Sequence, residues 1–108
     1  MAIYCAYNDV VAIVDTNMSK TEVTTLISII SAMMDEVVDT SKHALVLRGI
    51  CQLWTAYRVM LKDPSARGIG QYSESRVTTL KLLREERDWM MSVGGGGISF
   101  TPASESLG

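Results

Sequence analysis

Histidine and cysteine, two residue types that often perform catalysis or hold metal ions, are rare in this chain. Its 108 residues include one histidine, His43, and two cysteines, Cys5 and Cys51. A zinc site usually needs about four ligands, and a nucleophile needs a base beside it; His43 has no partner at a spacing typical of either. We therefore expect no enzyme activity, no catalytic residue, no metal and no cofactor, and interpret His43 as a surface residue in the first turn of a helix.

The remaining reactive groups also favour structural roles. Cys5 and Cys51 stand among apolar neighbours, which predicts reduced, small core residues; a disulfide between them is the alternative. The adjacent acids Glu85 and Glu86 belong to a charged run of mixed sign, residues 84–88, which is typical of an exposed helix face. Such a face lacks the cleft that would raise the pKa of a catalytic carboxyl group.

Composition predicts one small domain with an apolar surplus. The chain is 47% hydrophobic and 20% charged, and its formal net charge is −2. The length fits a single domain, and the hydrophobic content argues against disorder. A nucleic-acid-binding protein usually carries a basic patch, and the sequence has none. We also expect neither a secretion signal nor a membrane span, since the apolar stretches are short.

Helical periodicity dominates the first 40 residues. Asn8 is the predicted N-cap of a short helix reaching about Val14, with a β-strand as the competing interpretation because valine and isoleucine are β-branched. Ser19 and Glu22 then form a capping-box pattern that predicts the start of a second helix. Its apolar stripe follows the helical spacing of three and four residues: Val23, Leu26, Ile27, Ile30, Met33, Met34 and Val37.

A third helix is predicted for about residues 42–62, because Asp63-Pro64 disfavours its continuation. Its apolar residues cover most of its circumference, so we expect part of its surface to contact another chain. The fourth helix is predicted to begin near Ser73 or Ser75. Its predicted apolar side contains Val77, Leu80, Leu83, Met90 and Met91, and its predicted surface ion pairs are Lys81–Glu85 and Arg84–Asp88.

Two glycine-containing segments connect or follow these helices. Gly68 and Gly70 lie in a predicted loop, residues 65–72, which lacks a phosphate-loop motif and needs positive φ angles. Four glycines, residues 94–97, form a flexible joint before an alternating pattern at residues 98–101. We expect this strand-like segment to dock on another protein through Ile98 and Phe100; a disordered tail is the alternative. The predicted organisation is an all-α domain of about four helices, residues 1–93, and a docking tail, residues 94–108.

The order of these features resembles a known family. A Tyr-x-x-Tyr-x-Asp-Val opening, residues 4–10, precedes the capping box and two long helices. A Gly-x-Gly-x-Tyr-Ser segment, residues 68–73, then leads into a charged helix. In this order, over about residues 4–91, the chain resembles the head–tail connector (adaptor) proteins of tailed phages and related archaeal viruses.

The resemblance implies a structural virion protein at the head–tail interface, or neck, that is assembled in the host cytoplasm. Its subunits would form a ring, typically of twelve, which binds the portal protein, meets a downstream neck or tail-completion protein, and lets DNA pass without specific binding or contact with a membrane. The implied portal-docking residues are Gly94, Gly97, Ile98, Phe100 and Thr101. The expected subunit or ring interface contains Trp54, Tyr57, Met60, Ile69 and Tyr72.

Two other functions compete with this interpretation. A small helical DNA-binding or regulatory protein is the main alternative, and the missing basic stripe argues against it. A four-helix carrier of a small ligand is the other, and no convergent polar groups in the sequence favour it.

Overall fold

Helices make up most of the folded chain. A computed structural model describes residues 3–39, 41, 43–73 and 75–92. In chain order the elements are α1 (Tyr7–Val11), β1 (Val14–Asp15), α2 (Lys20–Val37), α3 (Ala44–Lys62), β2 (Arg67–Gly68), a 3-10 turn (Gly70–Tyr72) and α4 (Arg76–Met90). The predicted all-α class with about four helices is confirmed, since each strand has only two residues.

The start of α2 follows the capping-box pattern. The Ser19 hydroxyl accepts a hydrogen bond from the Glu22 amide at 3.1 Å, and the Glu22 carboxylate accepts one from the Ser19 amide at 2.9 Å. These bonds satisfy two donors that a helix start otherwise leaves unpaired. The predicted stripe is buried at Val23, Leu26, Ile27, Ile30 and Met34. It ends before Val37, which is half exposed.

The start of α1 differs from the prediction. Its N-cap is Ala6, and Asn8 lies inside the helix. Alanine can occupy this position because the carboxylate of Asp9 accepts a hydrogen bond from the Ala6 amide at 2.8 Å. The helix ends at Val11, so Val14 belongs to β1, as the competing strand interpretation proposed.

The other two helix starts use nearby side chains as caps. His43 precedes α3, and its Nδ1 atom accepts a hydrogen bond from the Leu45 amide at 3.1 Å. The Ser75 hydroxyl accepts one from the Thr78 amide at 3.3 Å, so of the two predicted starts of α4, Ser75 is confirmed. The predicted extent of α3 is confirmed to within two residues.

The long helices form a layer with α3 between α2 and α4. α3 packs against both neighbours, which hardly touch each other. Gly49 of α3 faces Met90, because a Cβ atom there would lie 2.5 Å from the Met90 Cε atom. Cys51 instead contacts Ser31 of α2, with Sγ and Oγ 3.7 Å apart. Two residues turn a helix by about 200°, which places α2 and α4 on opposite flanks of α3.

A short ladder and one carboxylate fix the connections at one end of this layer. β1 pairs antiparallel with β2, in the register Val14↔Gly68 and Asp15↔Arg67. Asp63, which ends α3, accepts hydrogen bonds from the Thr16 hydroxyl and from the Asn17 amide at 2.9 Å. The two loops that flank the ladder are therefore joined by Asp63.

Candidate interaction surface

The histidine and the two cysteines, which were considered for catalysis and metal binding, lie in environments typical of structural residues. The imidazole of His43 caps α3, a role that the sequence analysis missed, although its position before a helical pattern was the available signal. Among the described residues, no three His, Cys, Asp or Glu side chains are grouped as a metal site would require. Cys5 and Cys51 are buried and are not joined by a disulfide bond. We therefore consider the exposed apolar side chains of the helices as the candidate functional feature.

Two of the residues predicted for an interface on α3 are buried within the single chain, whereas Leu45 and Leu61 of the same helix are exposed. Met60 is fully buried and Trp54 is 7% exposed, because α1, α2 and α4 cover most of α3. The ring of Trp54 is further covered by Arg87 of α4. The side chains of these two residues therefore belong to the core of the single chain. Tyr57 is partly exposed, so its place in an interface stays a prediction.

The segment with the Gly-x-Gly-x-Tyr-Ser pattern has one buried and one exposed apolar side chain. Tyr72 is buried, its hydroxyl donates to a Glu86 carboxylate oxygen, and its carbonyl accepts from the Thr79 hydroxyl at 2.7 Å. Ile69 is held by its amide, which donates to the Ile13 carbonyl at 2.9 Å, but its side chain is 42% exposed. The Tyr72 side chain is therefore covered within the single chain, and the interface roles of Tyr72 and Ile69 stay predictions.

α4 exposes an apolar side chain at each end of one row. Val77, Lys81, Glu85 and Trp89 follow at intervals of four residues, so each lies next to the following one on the helix surface, and all four are exposed. Val77 is 78% exposed and Trp89 is 64% exposed. Val77 was predicted to face the core, and this was wrong. The predicted Lys81–Glu85 and Arg84–Asp88 salt bridges are also not formed, and Asp88 pairs with Arg87 at 2.7 Å.

The opposite flank, on α2, carries a groove. Ile29 and Val37 are both half exposed. The groove lies beside Ile29, between the first half of α2 and the end of α3, and has a volume of about 480 Å³. Its lining includes Met18, Leu26 and Lys62. An aromatic side chain would fit a groove of this size, and its lining offers such a side chain apolar contacts.

Each of the two flanks has an exposed charged residue, and the two charges have opposite signs. Glu36 is exposed seven residues after Ile29 on α2, and Lys81 is exposed eight residues before Trp89 on α4. At 1.5 Å per residue these separations are about 10.5 Å and about 12 Å along the respective helices. If α4 of one molecule lay antiparallel on α2 of another with Trp89 at Ile29, Lys81 would reach Glu36.

The predicted portal-docking residues, Gly94, Gly97, Ile98, Phe100 and Thr101, lie outside the described residues.

No protein-family model, curated protein or solved structure matches this chain. Of the helices in the described part of the chain, none combines the length and the hydropathy that crossing a membrane requires.

Proposed function

We propose that this chain is a structural subunit that assembles side by side with copies of itself into a ring, as a head–tail connector of a virion. The observation that carries this proposal is the pair of unlike apolar flanks on opposite sides of α3. A ring needs two different complementary surfaces on each subunit, because every contact in it is head-to-tail.

The contact between neighbouring subunits follows from the geometry of the two flanks. Trp89 of one subunit occupies the groove beside Ile29 of the next, and Lys81 meets Glu36. A large aromatic side chain in a pocket is the usual anchor of an interface, and the charge pair fixes its direction. Ile69 and Tyr57 are available for contacts above or below the ring.

The remaining features of the proposal rest on the sequence and on the family resemblance. The ring is assembled on a portal protein, and residues 94–108 dock there through Ile98 and Phe100. The net charge of −2 suits a channel that DNA crosses without being bound. A downstream neck or tail-completion protein contacts the other side of the ring.

The test of ring formation uses charge exchange. The full chain is mixed with the portal protein encoded in the same genome, and assemblies are measured by sedimentation velocity and native mass spectrometry. Glu36→Lys and Lys81→Glu should each weaken assembly at least about tenfold, because each change places like charges opposite one another. The Glu36→Lys/Lys81→Glu double variant should recover most of the loss.

Controls separate the interface from the fold and from the tail. Arg58→Glu, an exposed change on α3, should leave assembly unchanged, whereas Trp89→Ala should reduce it without altering the circular dichroism spectrum. A chain that ends at residue 93 should keep its helices but lose portal binding. Single and double charge variants that assemble like the wild type would exclude this contact, and portal binding by the shortened chain would exclude the role of the tail.

A further inference from the structure

Two buried thiols from distant parts of the chain lie next to each other. The Sγ atoms of Cys5 and Cys51 are 3.0 Å apart, although the residues are 46 positions apart in the sequence. A disulfide bond is about 2.05 Å long, so the sulfur atoms are only about 1 Å beyond bonding distance. Cys5 belongs to the segment before α1, and Cys51 lies near the middle of α3.

Both residues are held in place by their surroundings. The amide of Tyr4 donates to the Ser31 hydroxyl at 3.2 Å, which fixes the chain just before Cys5 against α2. On the other side of Cys5, the Ala6 amide is bound by Asp9. Cys51 is on a helix that its neighbours cover, and its side chain is fully buried. Bond formation therefore needs a small side-chain movement rather than a change of fold.

We propose that Cys5 and Cys51 form an oxidative modification site, at which hydrogen peroxide converts the thiol pair into a disulfide that joins the N-terminal segment to α3. The proposal is independent of ring formation. Hydrogen peroxide is the oxidant in this proposal because it is small enough to reach buried sulfur atoms when the chain opens locally. Cys5 is 7% exposed in a segment outside the helices, and local opening there gives peroxide access to both sulfur atoms.

Cys51 is the thiol that reacts first. The hydrogen bond from the Cys5 thiol favours the Cys51 thiolate and lowers the pKa of Cys51, with further help from the hydroxyls of Ser31 and Thr55. The same contact with Cys51, together with burial, raises the pKa of Cys5. The two thiols are therefore unequal, which suits a nucleophile and a resolving group.

The reaction balances in two steps. The Cys51 thiolate attacks one oxygen of peroxide, so that an S–O bond forms, the O–O bond breaks and hydroxide leaves, to be protonated to water. The Cys5 sulfur then attacks the Cys51 sulfur, so that the S–S bond forms, the S–O bond breaks and a second water leaves with the Cys5 proton. Two thiols lose two electrons, and one peroxide is reduced to two waters.

Peptide mapping of the full chain tests the site. After brief peroxide treatment the remaining thiols are alkylated in denaturant, and the protein is digested with trypsin without reduction. We expect alkylation of both cysteines to fall at least about tenfold. A disulfide-linked pair should appear, of peptides 1–20 and 49–58, which reduction separates. The mid-point of thermal unfolding should rise by roughly 5 °C or more, since the bond closes a long loop.

Cys5→Ser and Cys51→Ser are the matched variants, because each keeps a small polar side chain and removes one thiol. Neither should show the linked peptides or the rise in melting temperature after peroxide. Persistence of both thiols in the wild type, a linkage between two chains, or an oxidised protein that melts no higher than the reduced one would each overturn the proposal. Because the wild-type mapping needs no variant, a variant that fails to fold leaves the test intact.

Discussion

The guanidinium carbon of Arg87 lies 4.9 Å from the centre of the Trp54 ring and closes α4 over α3. Only 17% of the Arg87 side chain is exposed, and its Nη2 atom pairs with Asp88 at 2.7 Å. Arg87 was predicted to be solvated with the other charged residues of α4, and this was wrong. Its guanidinium group instead lies over the Trp54 ring and is attracted by the aromatic face.

Replacement of Arg87 should therefore affect folding more than replacement of another arginine on the same helix. We expect Arg87→Ala to lower the free energy of unfolding by about 1–2 kcal/mol, through lost packing and lost cation–π attraction. Arg84→Ala, at an exposed position of α4, should change it by less than about 0.5 kcal/mol. Urea unfolding followed by circular dichroism measures both values, and equal effects would contradict the role of the Trp54 contact.

Asp63 should make the stability of the chain depend on pH. Hydrogen bonds from Thr16, Ser65 and Asn17 hold the pKa of its carboxyl group well below the usual value. A group whose pKa is lower in the folded state stabilises the fold above the unfolded pKa, about 3.9, and loses this contribution as pH falls through the folded pKa. Asp63→Asn should therefore lower the melting temperature at neutral pH, with a smaller difference from the wild type at about pH 2.

Thermal unfolding at several pH values checks this expectation. Asp15→Asn is the control, because Asp15 is an exposed residue of β1, and its replacement should change the melting temperature little at neutral pH. A constant difference between Asp63→Asn and the wild type across the acidic range would contradict the link between this carboxylate and acid stability.

Gly68 and Gly70 should respond differently to a methyl group. A Cβ atom on Gly68 would lie 1.9 Å from the Tyr72 carbonyl oxygen, whereas one on Gly70 meets no atom within 4 Å. Gly70, at φ 65°, has the positive φ that the sequence analysis predicted for this loop. We expect Gly70→Ala to cost about 1–2 kcal/mol from backbone strain, and Gly68→Ala to cost about 3 kcal/mol or more from overpacking.

Chemical denaturation of both glycine variants gives this comparison directly. A larger loss for Gly70→Ala than for Gly68→Ala would mean that the backbone of Tyr72 moves away from Gly68 at little cost.

Replacement of Met60 and replacement of Ile69 should have different effects, because Met60 lies in the core and Ile69 is predicted to lie in an interface. Met60 is fully buried, so Met60→Ala should lower the free energy of unfolding by about 2–5 kcal/mol. Ile69 is 42% exposed, so Ile69→Ala should cost less than about 1 kcal/mol. In the portal assembly assay, only the Ile69 variant should lose binding while remaining folded. A stable Met60→Ala chain would contradict the position of Met60 in the core.

The local features of the fold could be predicted from the sequence. The Ser19–Glu22 capping box, the Ser75 cap and the end of α3 before Pro64 each depend on residues within four positions of one another. Such interactions form wherever the local sequence allows them. The start of α1 was misplaced because the capping group is Asp9, whose carboxylate reaches back to Ala6.

The candidate surface could be predicted only in part. α3 exposes Leu45 and Leu61, although α1, α2 and α4 cover most of its other apolar side chains. Further exposed apolar side chains lie on α2 and α4, at Ile29, Val37, Val77 and Trp89. Periodicity indicates that a helix has an apolar side, but it does not indicate how much of that side its neighbours cover.

The sequence by itself determined the helices of the described residues and most of their ends, because these depend on composition and short-range hydrogen bonds. Tertiary structure decided that Cys5 meets Cys51, that β1 pairs with β2, and that Trp54 is buried while Trp89 is exposed. The physical reason is that these relationships join residues far apart in the chain. They are fixed only when α3 packs between α2 and α4, and no local pattern specifies that arrangement.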